Sequence, residues 1–145
     1  LLRFEGAPAP VLQIGDSEKA REGQSLAFIG FPIGGALGFS PVTHRAMISS
    51  ITPAAMPTPT ARQLNEATIR SVRAGPFSIF QLDGTAYPGN SGGPLFDPDN
   101  GDVLGVVNMV FIKGSRESAL SQPSGISYAI PSRFVSELLD SAKTR

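Results

Sequence analysis

The chain has 145 residues, enough for one ordinary domain with a hydrophobic core, and its apolar content of 41% argues against disorder. Twelve basic and twelve acidic side chains balance each other, so the charge gives no sign of a nucleic acid or an anionic membrane as a partner. The absence of cysteine excludes disulfides, thiolate metal sites and a cysteine nucleophile. Glycine and proline, at 16 and 13 residues, are frequent enough to favour short strands and turns over long helices.

The first half of the chain reads as short strands joined by loops rich in glycine and proline. The predicted pieces are a strand at residues 1–5, a stiff connector at 6–10, a strand at 24–30, a loop at 34–38, a strand at 45–51 and a surface loop at 52–60. Residues 23–43 are uncharged over almost the length of a membrane span, but glycines and prolines interrupt them repeatedly. A strand, a loop and a second strand are therefore predicted there, and no membrane-spanning segment.

The second half continues the pattern and ends in a helix. The predicted pieces are strands at residues 67–73 and 77–82, a hairpin turn at 97–102, a strand at 103–112, a polar loop at 113–124 and a strand at 126–130. The Asn-Gly pair at 100–101 marks the hairpin, because it accommodates positive φ. Ser132 is the expected cap of a C-terminal helix with one apolar face. About six short strands and one closing helix predict a small antiparallel barrel or sandwich.

Residues 89–95, Gly-Asn-Ser-Gly-Gly-Pro-Leu, form a glycine-rich turn between two strand candidates and present a serine. Such a turn can direct the backbone N–H groups of Gly89 and Ser91 at one point. Two convergent N–H donors are what an oxyanion hole requires, because negative charge develops on the carbonyl oxygen during acyl transfer. We therefore assign Ser91 Oγ as the attacking atom and Gly89, Asn90 and Ser91 as the oxyanion segment.

A nucleophilic serine needs a base, usually a histidine that a carboxylate orients. The chain has one histidine, His44, and Asp83 lies eight residues before Ser91. Either could belong to a triad. The alternatives are an exposed or partly satisfied histidine at a strand end and an aspartate that accepts hydrogen bonds in a turn. A phosphate loop at residues 30–38 lacks the Lys-Ser/Thr ending and a following helix, and no ligand spacing predicts a metal or a cofactor.

Residues 83–95, Asp-Gly-Thr-Ala-Tyr-Pro-Gly-Asn-Ser-Gly-Gly-Pro-Leu, resemble the nucleophile segment of trypsin-like serine proteases, and most closely that of the HtrA/Deg-type branch. Residues 101–108 are similar to the family's Gly-x-Val-Ile-Gly-Ile-Asn strand, and residues 125–131 to its Gly-Ile-x-Phe-Ala-Ile-Pro segment. Asn90 stands where digestive proteases carry an aspartate that pairs with a new N-terminus. The resemblance therefore implies activation without zymogen cleavage.

The resemblance implies an all-β fold, the second six-stranded antiparallel barrel of a two-barrel protease, with a C-terminal α-helix. Residues 1–10 would end the first barrel and connect to the second, residues 11–131 would form the C-terminal barrel, and residues 132–145 the closing helix. The chain would then begin in mid-domain, and the family's base histidine and its aspartate would lie upstream of Leu1. His44 matches neither of them, since the family has small polar residues there. Asp83 matches a structural aspartate of the family.

By this resemblance the function is serine-type endopeptidase activity through an acyl-enzyme on Ser91, with a polypeptide as substrate. The chain by itself is expected to have little or no activity. It would associate with its N-terminal barrel, or with copies of itself when that barrel is absent. An extracytoplasmic location is expected from the family alone. A pseudoprotease, a peptide-binding module and an inactive fragment remain open as alternatives.

The substrate-binding residues follow from the same resemblance. The predicted members are Thr85, Ala86, Tyr87 and Pro88 in one pocket wall, Gly125, Ile126 and Ser127 in another, and Asn108, Met109 and Val110 in a strand edge that pairs with the peptide. The pocket-floor position resembles Thr85 and is not acidic, which argues against specificity for lysine or arginine. Small or medium aliphatic side chains are expected instead.

Overall fold

The fold was analysed in a computed structural model, which describes residues 5–32, 40–53, 77–108 and 126–143. The strand predicted at residues 67–73 and the loops predicted at 34–38 and 113–124 lie outside these ranges. The same holds for most of the strand predicted at 1–5 and for the last four residues of the strand predicted at 103–112. No helix within the described ranges is long and apolar enough to cross a membrane.

The described residues form a closed antiparallel β-barrel, as the sequence predicted. Its strands are β1 (Ser25–Gly30), β2 (Val42–Pro53), β3 (Ser78–Asp83), β4 (Pro94–Phe96), β5 (Val103–Asn108) and β6 (Ile126–Pro131). Their order around the barrel is β1-β2-β3-β6-β5-β4, and the pairing of β4 with β1 closes the ring. Closure leaves each of the six strands with two hydrogen-bonded neighbours, which is how small barrels avoid exposed sheet edges.

Two strands differ from the prediction. β2 begins at Val42 and ends at Pro53, so it is longer than the predicted 45–51 and includes the first two residues of the predicted loop at 52–60. A register shift between Ile48 and Ser50 lets this long strand bend while it pairs with β3. β4 was not predicted at all. It has three residues, too few for an alternating pattern to register in the sequence, and it forms because β1 and β5 both pair with it.

The hydrophobic core fills the barrel interior. Its largest members are exposed by at most 1%: Leu26, Phe28, Ile48, Phe80, Leu82, Leu95 and Val107. In most strands they alternate with more exposed residues, whereas in β1 the small Ala27 between two of them is also buried. Removing one such aliphatic or aromatic side chain from water stabilises the fold by about 1.5–3 kcal/mol. The alternation determines which side chains of each strand face inward, and thereby which polar side chains reach the interior.

The predicted hairpin turn at residues 97–102 is confirmed. The N–H of Asp97 donates to the carbonyl of Asp102 at 2.9 Å, and the N–H of Gly101 donates to the carbonyl of Asp97 at 2.8 Å. Gly101 has φ +80°, the conformation that the Asn-Gly pair was expected to supply. The turn joins β4 to β5 and therefore controls how the residues before β4 are presented.

The C-terminal helix α1 (Arg133–Lys143) follows Ser132, as predicted, but Ser132 does not cap it through its hydroxyl. That hydroxyl donates to the carbonyl of Gly15 at 2.7 Å. The first helical N–H, of Arg133, donates instead to Ser17 Oγ at 3.0 Å. Ser17 lies in a short 3-10 helix, Ser17–Lys19. The helix start is thus tied by two hydrogen bonds to the segment that enters the barrel, and not by its own cap.

We expect Ser132→Ala to lower the free energy of unfolding by about 1–3 kcal/mol, because it leaves a backbone carbonyl without its donor next to a fully buried position. Urea denaturation of the protein measures this loss. Ser141→Ala is the matched control. It removes an exposed helical hydroxyl that bonds within its own helix, and should change the free energy by less than about 0.5 kcal/mol. Equal losses for the two variants would contradict the interpretation.

Candidate active site

The turn that carries Ser91 sits directly on the end of β1. The N–H of Phe31 donates to the carbonyl of Gly89 at 3.1 Å. A side chain at Gly30 would collide with Asn90, whose Cα would lie 2.6 Å from the added Cβ. A side chain at Gly93 would collide with the carbonyl oxygen of Ile29. Gly30 in the strand and Gly93 in the turn therefore permit the two backbones to approach closely. This close contact fixes the distance of the turn from the end of β1.

Hydrogen bonds hold the turn from within and from β5. The N–H of Asn90 donates to the carbonyl of Tyr87 at 2.9 Å, and the N–H of Gly93 donates to the carbonyl of Asn90 at 3.0 Å. Val107 of β5 makes two hydrogen bonds to the turn. Its carbonyl accepts from the N–H of Gly92 at 2.8 Å, and the N–H of Val107 donates to the carbonyl of Gly93 at 2.9 Å. Gly89 and Gly92 have φ of +104° and +86°, which residues with side chains rarely adopt.

The residues of this turn face opposite ways. Ser91 is exposed, while Asn90 beside it is fully buried. The N–H of Asn90 donates to the carbonyl of Tyr87, so of the three residues predicted for the oxyanion segment Asn90 offers no free N–H. The N–H groups of Gly89 and Ser91 as donors, their convergence on one point, and the role of Ser91 as nucleophile stay predictions. The geometry presents Ser91 at the surface on a turn that β1 and β5 hold on two sides.

Both walls of the predicted substrate pocket are joined by one hydroxyl. Ser127 is buried, and its Oγ donates to the carbonyl of Gly84 at 2.6 Å and accepts the N–H of Ala86 at 2.8 Å. The four predicted residues of the first wall, Thr85–Pro88, are half-buried after β3. Ile126, at the start of β6, is 49% exposed. Ser127 thus holds the first wall in place, and contact of these residues with a substrate stays a prediction.

The predicted strand edge is described only at its first residue. Asn108 is half-buried at the end of β5 and pairs with Tyr128 of β6. Met109, Val110 and Gly125 lie outside the described residues. Peptide pairing along this edge therefore also stays a prediction.

His44 is half-buried near the start of β2, on the inward side of the strand, which agrees with the expected position of the histidine at a strand end. Its ring stacks on Phe28 with centroids 4.9 Å apart and an angle of 17° between the planes. The ring of Tyr87 lies 6.1 Å away. Nε2 is buried and has no hydrogen-bond partner among the described residues. It therefore makes no hydrogen bond to Ser91, as a general base would do in a triad.

Burial lowers the pKa of His44 below its ordinary value of 6.5, because the charged imidazolium loses hydration there. In the window between the ordinary and the lowered pKa, the unfolded chain binds more protons than the folded one. Stability therefore falls as the pH falls through that window. The neutral imidazole is the form that the barrel accommodates.

Asp83 is exposed at the end of β3, opposite the outward-facing Met47 of β2. It lies on the outer face of the barrel and does not share the interior with His44. Within the described ranges, no group of three His, Cys, Asp or Glu side chains is arranged to hold a metal ion. Within the part of the chain that the structure describes, the geometry thus brings together an exposed serine and a glycine-rich turn, and neither His44 nor Asp83 joins them as a triad member.

Comparison with known proteins decides the family. Residues 1–106 match the family described as "Trypsin-like peptidase domain". The chain belongs to this family. It is 32% identical over 99% of its length to a probable periplasmic serine endoprotease, DegP-like, of Marinomonas sp., and 30% identical over 90% of its length to the serine protease Do-like HtrA of Bacillus subtilis. It spans about a quarter of the length of these relatives, 25% and 24%.

Solved structures confirm the trypsin-like barrel. The HtrA-type protease AlgW with a decapeptide aligns with 91% of this chain and 33% of its own, with a TM-score of 0.64 and 26% identity. A variant of AlgW with a decapeptide covers 99% of this chain and 36% of its own, with a TM-score of 0.70 and 23% identity. A protease from M. tuberculosis in its active form covers 92% and 48%, with a TM-score of 0.62 and 23% identity. The predicted HtrA/Deg-type resemblance is confirmed.

Sequence reasoning missed two parts of the site. Gly30 was placed in a strand without a role, although a glycine at the end of an apolar run signals close approach of another backbone. The partners of Ser127 are about 40 residues away along the chain, and no local pattern indicates them. Gly30 gives the turn room against β1, and Ser127 holds the neighbouring pocket wall through its two hydrogen bonds.

We expect Gly30→Ala to slow the reaction of Ser91 with a fluorophosphonate by about 100-fold in the whole protein, because the added methyl group displaces Asn90 and with it the serine. Gly23→Ala is the control. It introduces a side chain into open space at φ +83°, which costs about 1–2 kcal/mol of stability away from the turn. Labelling rates that fall equally in both variants would contradict a specific effect of Gly30 on the turn.

Proposed function

We propose that the protein to which this chain belongs is a serine endopeptidase of the HtrA type, with Ser91 as its nucleophile. The observation that carries the proposal is an exposed serine on a turn that is fixed by β1 on one side and by β5 on the other. A nucleophile held in this way is already oriented before the substrate arrives. Membership of the trypsin-like peptidase family supports the same activity.

In the proposed mechanism, Ser91 Oγ attacks the carbonyl carbon of the scissile peptide bond while a histidine removes its proton. The oxyanion that forms accepts hydrogen bonds from the N–H groups of Gly89 and Ser91. The histidine then protonates the leaving amine, and water hydrolyses the acyl-enzyme by the reverse sequence. Because β1 and β5 hold the turn, its N–H groups keep their positions during the reaction. The protein therefore rearranges little while negative charge develops on the carbonyl oxygen.

The base in this mechanism comes from outside the 145 residues. His44 is the one histidine of the chain, and its Nε2 is buried and unpartnered. We therefore place the base and its aspartate in the first barrel of the whole protein, and residues 11–131 in the second. The isolated chain would then retain little activity, because loss of the base lowers the reaction rate by several orders of magnitude.

An extracytoplasmic location is part of the same proposal. Curated relatives are named periplasmic, which supports it.

We expect Ser91→Ala to abolish cleavage of an unfolded protein substrate by the whole protein, with a fall in kcat/KM on the order of 10⁴ or more. Fluorophosphonate labelling should disappear with it. Ser25→Ala, at an exposed position of β1, is the matched control and should keep both properties. Labelling of another serine in the Ser91→Ala variant would disprove the assignment. Unlabelled wild-type protein would favour a pseudoprotease or a peptide-binding module.

We expect the same assay, run on a peptide library, to show cleavage after small or medium aliphatic residues. The half-buried pocket wall at Thr85–Pro88 contains no acidic side chain to pair with lysine or arginine. An apolar pocket discriminates a missing methylene by about 1–3 kcal/mol, so neighbouring aliphatic residues should differ by roughly 10- to 200-fold. Preferred cleavage after lysine or arginine would contradict this proposal.

A further inference from the structure

Two side chains near the turn of residues 89–95, the nucleophile turn, have buried polar atoms without hydrogen-bond partners among the described residues. One is His44, through its Nε2 atom, and the other is Asn90, through both atoms of its amide. Unpaired buried polar atoms cost about 1–3 kcal/mol each, so a fold keeps them where they serve something other than stability.

The register of β1 and β2 places both side chains at the same end of the barrel interior. Phe28 pairs directly with His44, and the stacking of the two rings shows that both face inward. Gly30 follows Phe28 by two residues and so faces the same side of β1. The position that a side chain of Gly30 would take is filled by Asn90. His44 and Asn90 therefore lie below the turn, near the same end of β1.

Tyr87 provides a second connection between His44 and the turn. Its ring lies 6.1 Å from the ring of His44, with the planes tilted by 44°. Its carbonyl accepts the N–H of Asn90 at 2.9 Å. A shift of Tyr87 would therefore change the hydrogen bond that begins the nucleophile turn.

We propose that neutral His44 is a positioning residue for Ser91: its uncharged ring, packed between Phe28 and Tyr87, supports the turn from inside the barrel, and its protonation loosens that turn. This inference rests on the proposed peptidase function of the same site. It gives the protein a second histidine whose neutral form is needed for activity, in addition to the base.

Among the described residues, no acidic side chain contacts the ring of His44. β1 and β4, on the side of Phe28, contain no ionisable residue, and of the described titratable groups Tyr87 faces the ring. Arg45 and Asp83 are exposed on the outer face of the barrel. Protonation therefore places a charge on a ring whose Nε2 is shielded from water, and this loss of hydration lowers the pKa of His44.

The test is the pH dependence of kcat/KM for the whole protein and for its His44→Gln and His44→Phe variants. When two groups must be neutral, log kcat/KM falls at low pH with a slope of 2, about a hundredfold per pH unit. When one must be neutral, the slope is 1. We expect a slope of 2 in the wild type and of 1 in both variants, with the slope of 2 kept in the control Arg45→Gln. A slope of 1 in the wild type, or of 2 in the variants, would overturn the proposal.

Hydrogen exchange of the amides of residues 84–93 tests the same coupling without activity. After correction for the intrinsic pH dependence, we expect protection to fall on acidification in the wild type and in Arg45→Gln, but not in His44→Phe. Constant protection in the wild type would overturn the positioning role even if the enzyme is active. If the protein shows no peptidase activity at any pH, the proposed function fails, and the exchange result alone decides whether His44 supports the turn.

Discussion

The close contact between the nucleophile turn and the backbone of β1 is the constraint on which the rest of the site depends. At Gly30 and at Gly93 there is no room for a Cβ atom, because Asn90 and the carbonyl of Ile29 occupy the space. These contacts fix the distance of the turn from the barrel. The hydrogen bonds that Phe31 and Val107 make to the turn fix its orientation. Backbone contacts thus set the main position of the turn, and the packing of side chains beneath it completes the support of Ser91.

Barrel closure extends this constraint to the interior. β1 contacts the turn at one end, and it pairs along its length with β2 and, through two residues, with β4. Because side chains alternate across each strand, the register that places Phe28 and Ile48 in the core also turns half-buried His44 to the inward side of β2. A one-residue slip would exchange His44 for Arg45 on that side. The hydrophobic pattern of β2, and not any property of the histidine, thus decides that an imidazole lies beneath the turn that carries Ser91.

Local sequence signals predicted the parts of this structure that are local in origin. The Asn-Gly pair gave the hairpin at 97–102, and the glycine-rich turn with its flanking strands gave the family and the barrel. The three-residue β4, the hydroxyl of Ser132 that bonds to Gly15, and the partners of Ser127 depend on residues that are distant along the chain. No window of neighbouring residues encodes such contacts. The stacking of His44 on Phe28 was not predicted for the same reason, since the two rings belong to different strands.

The opposite exposures of Asn90 and Ser91 follow from these contacts and explain how one short turn can be rigid and still present Ser91 to solvent. Adjacent residues in a turn point to different sides, so an exposed serine requires a neighbour that enters the protein. Here that neighbour is fully buried over Gly30, where any larger residue in the strand would expel it. Its amide finds no partner in the described residues, so it holds the turn by filling space and not by hydrogen bonding. Packing of that kind tolerates little change in the shape or charge of the side chains beneath it, and among the described ones His44 is the side chain that gains a charge on acidification.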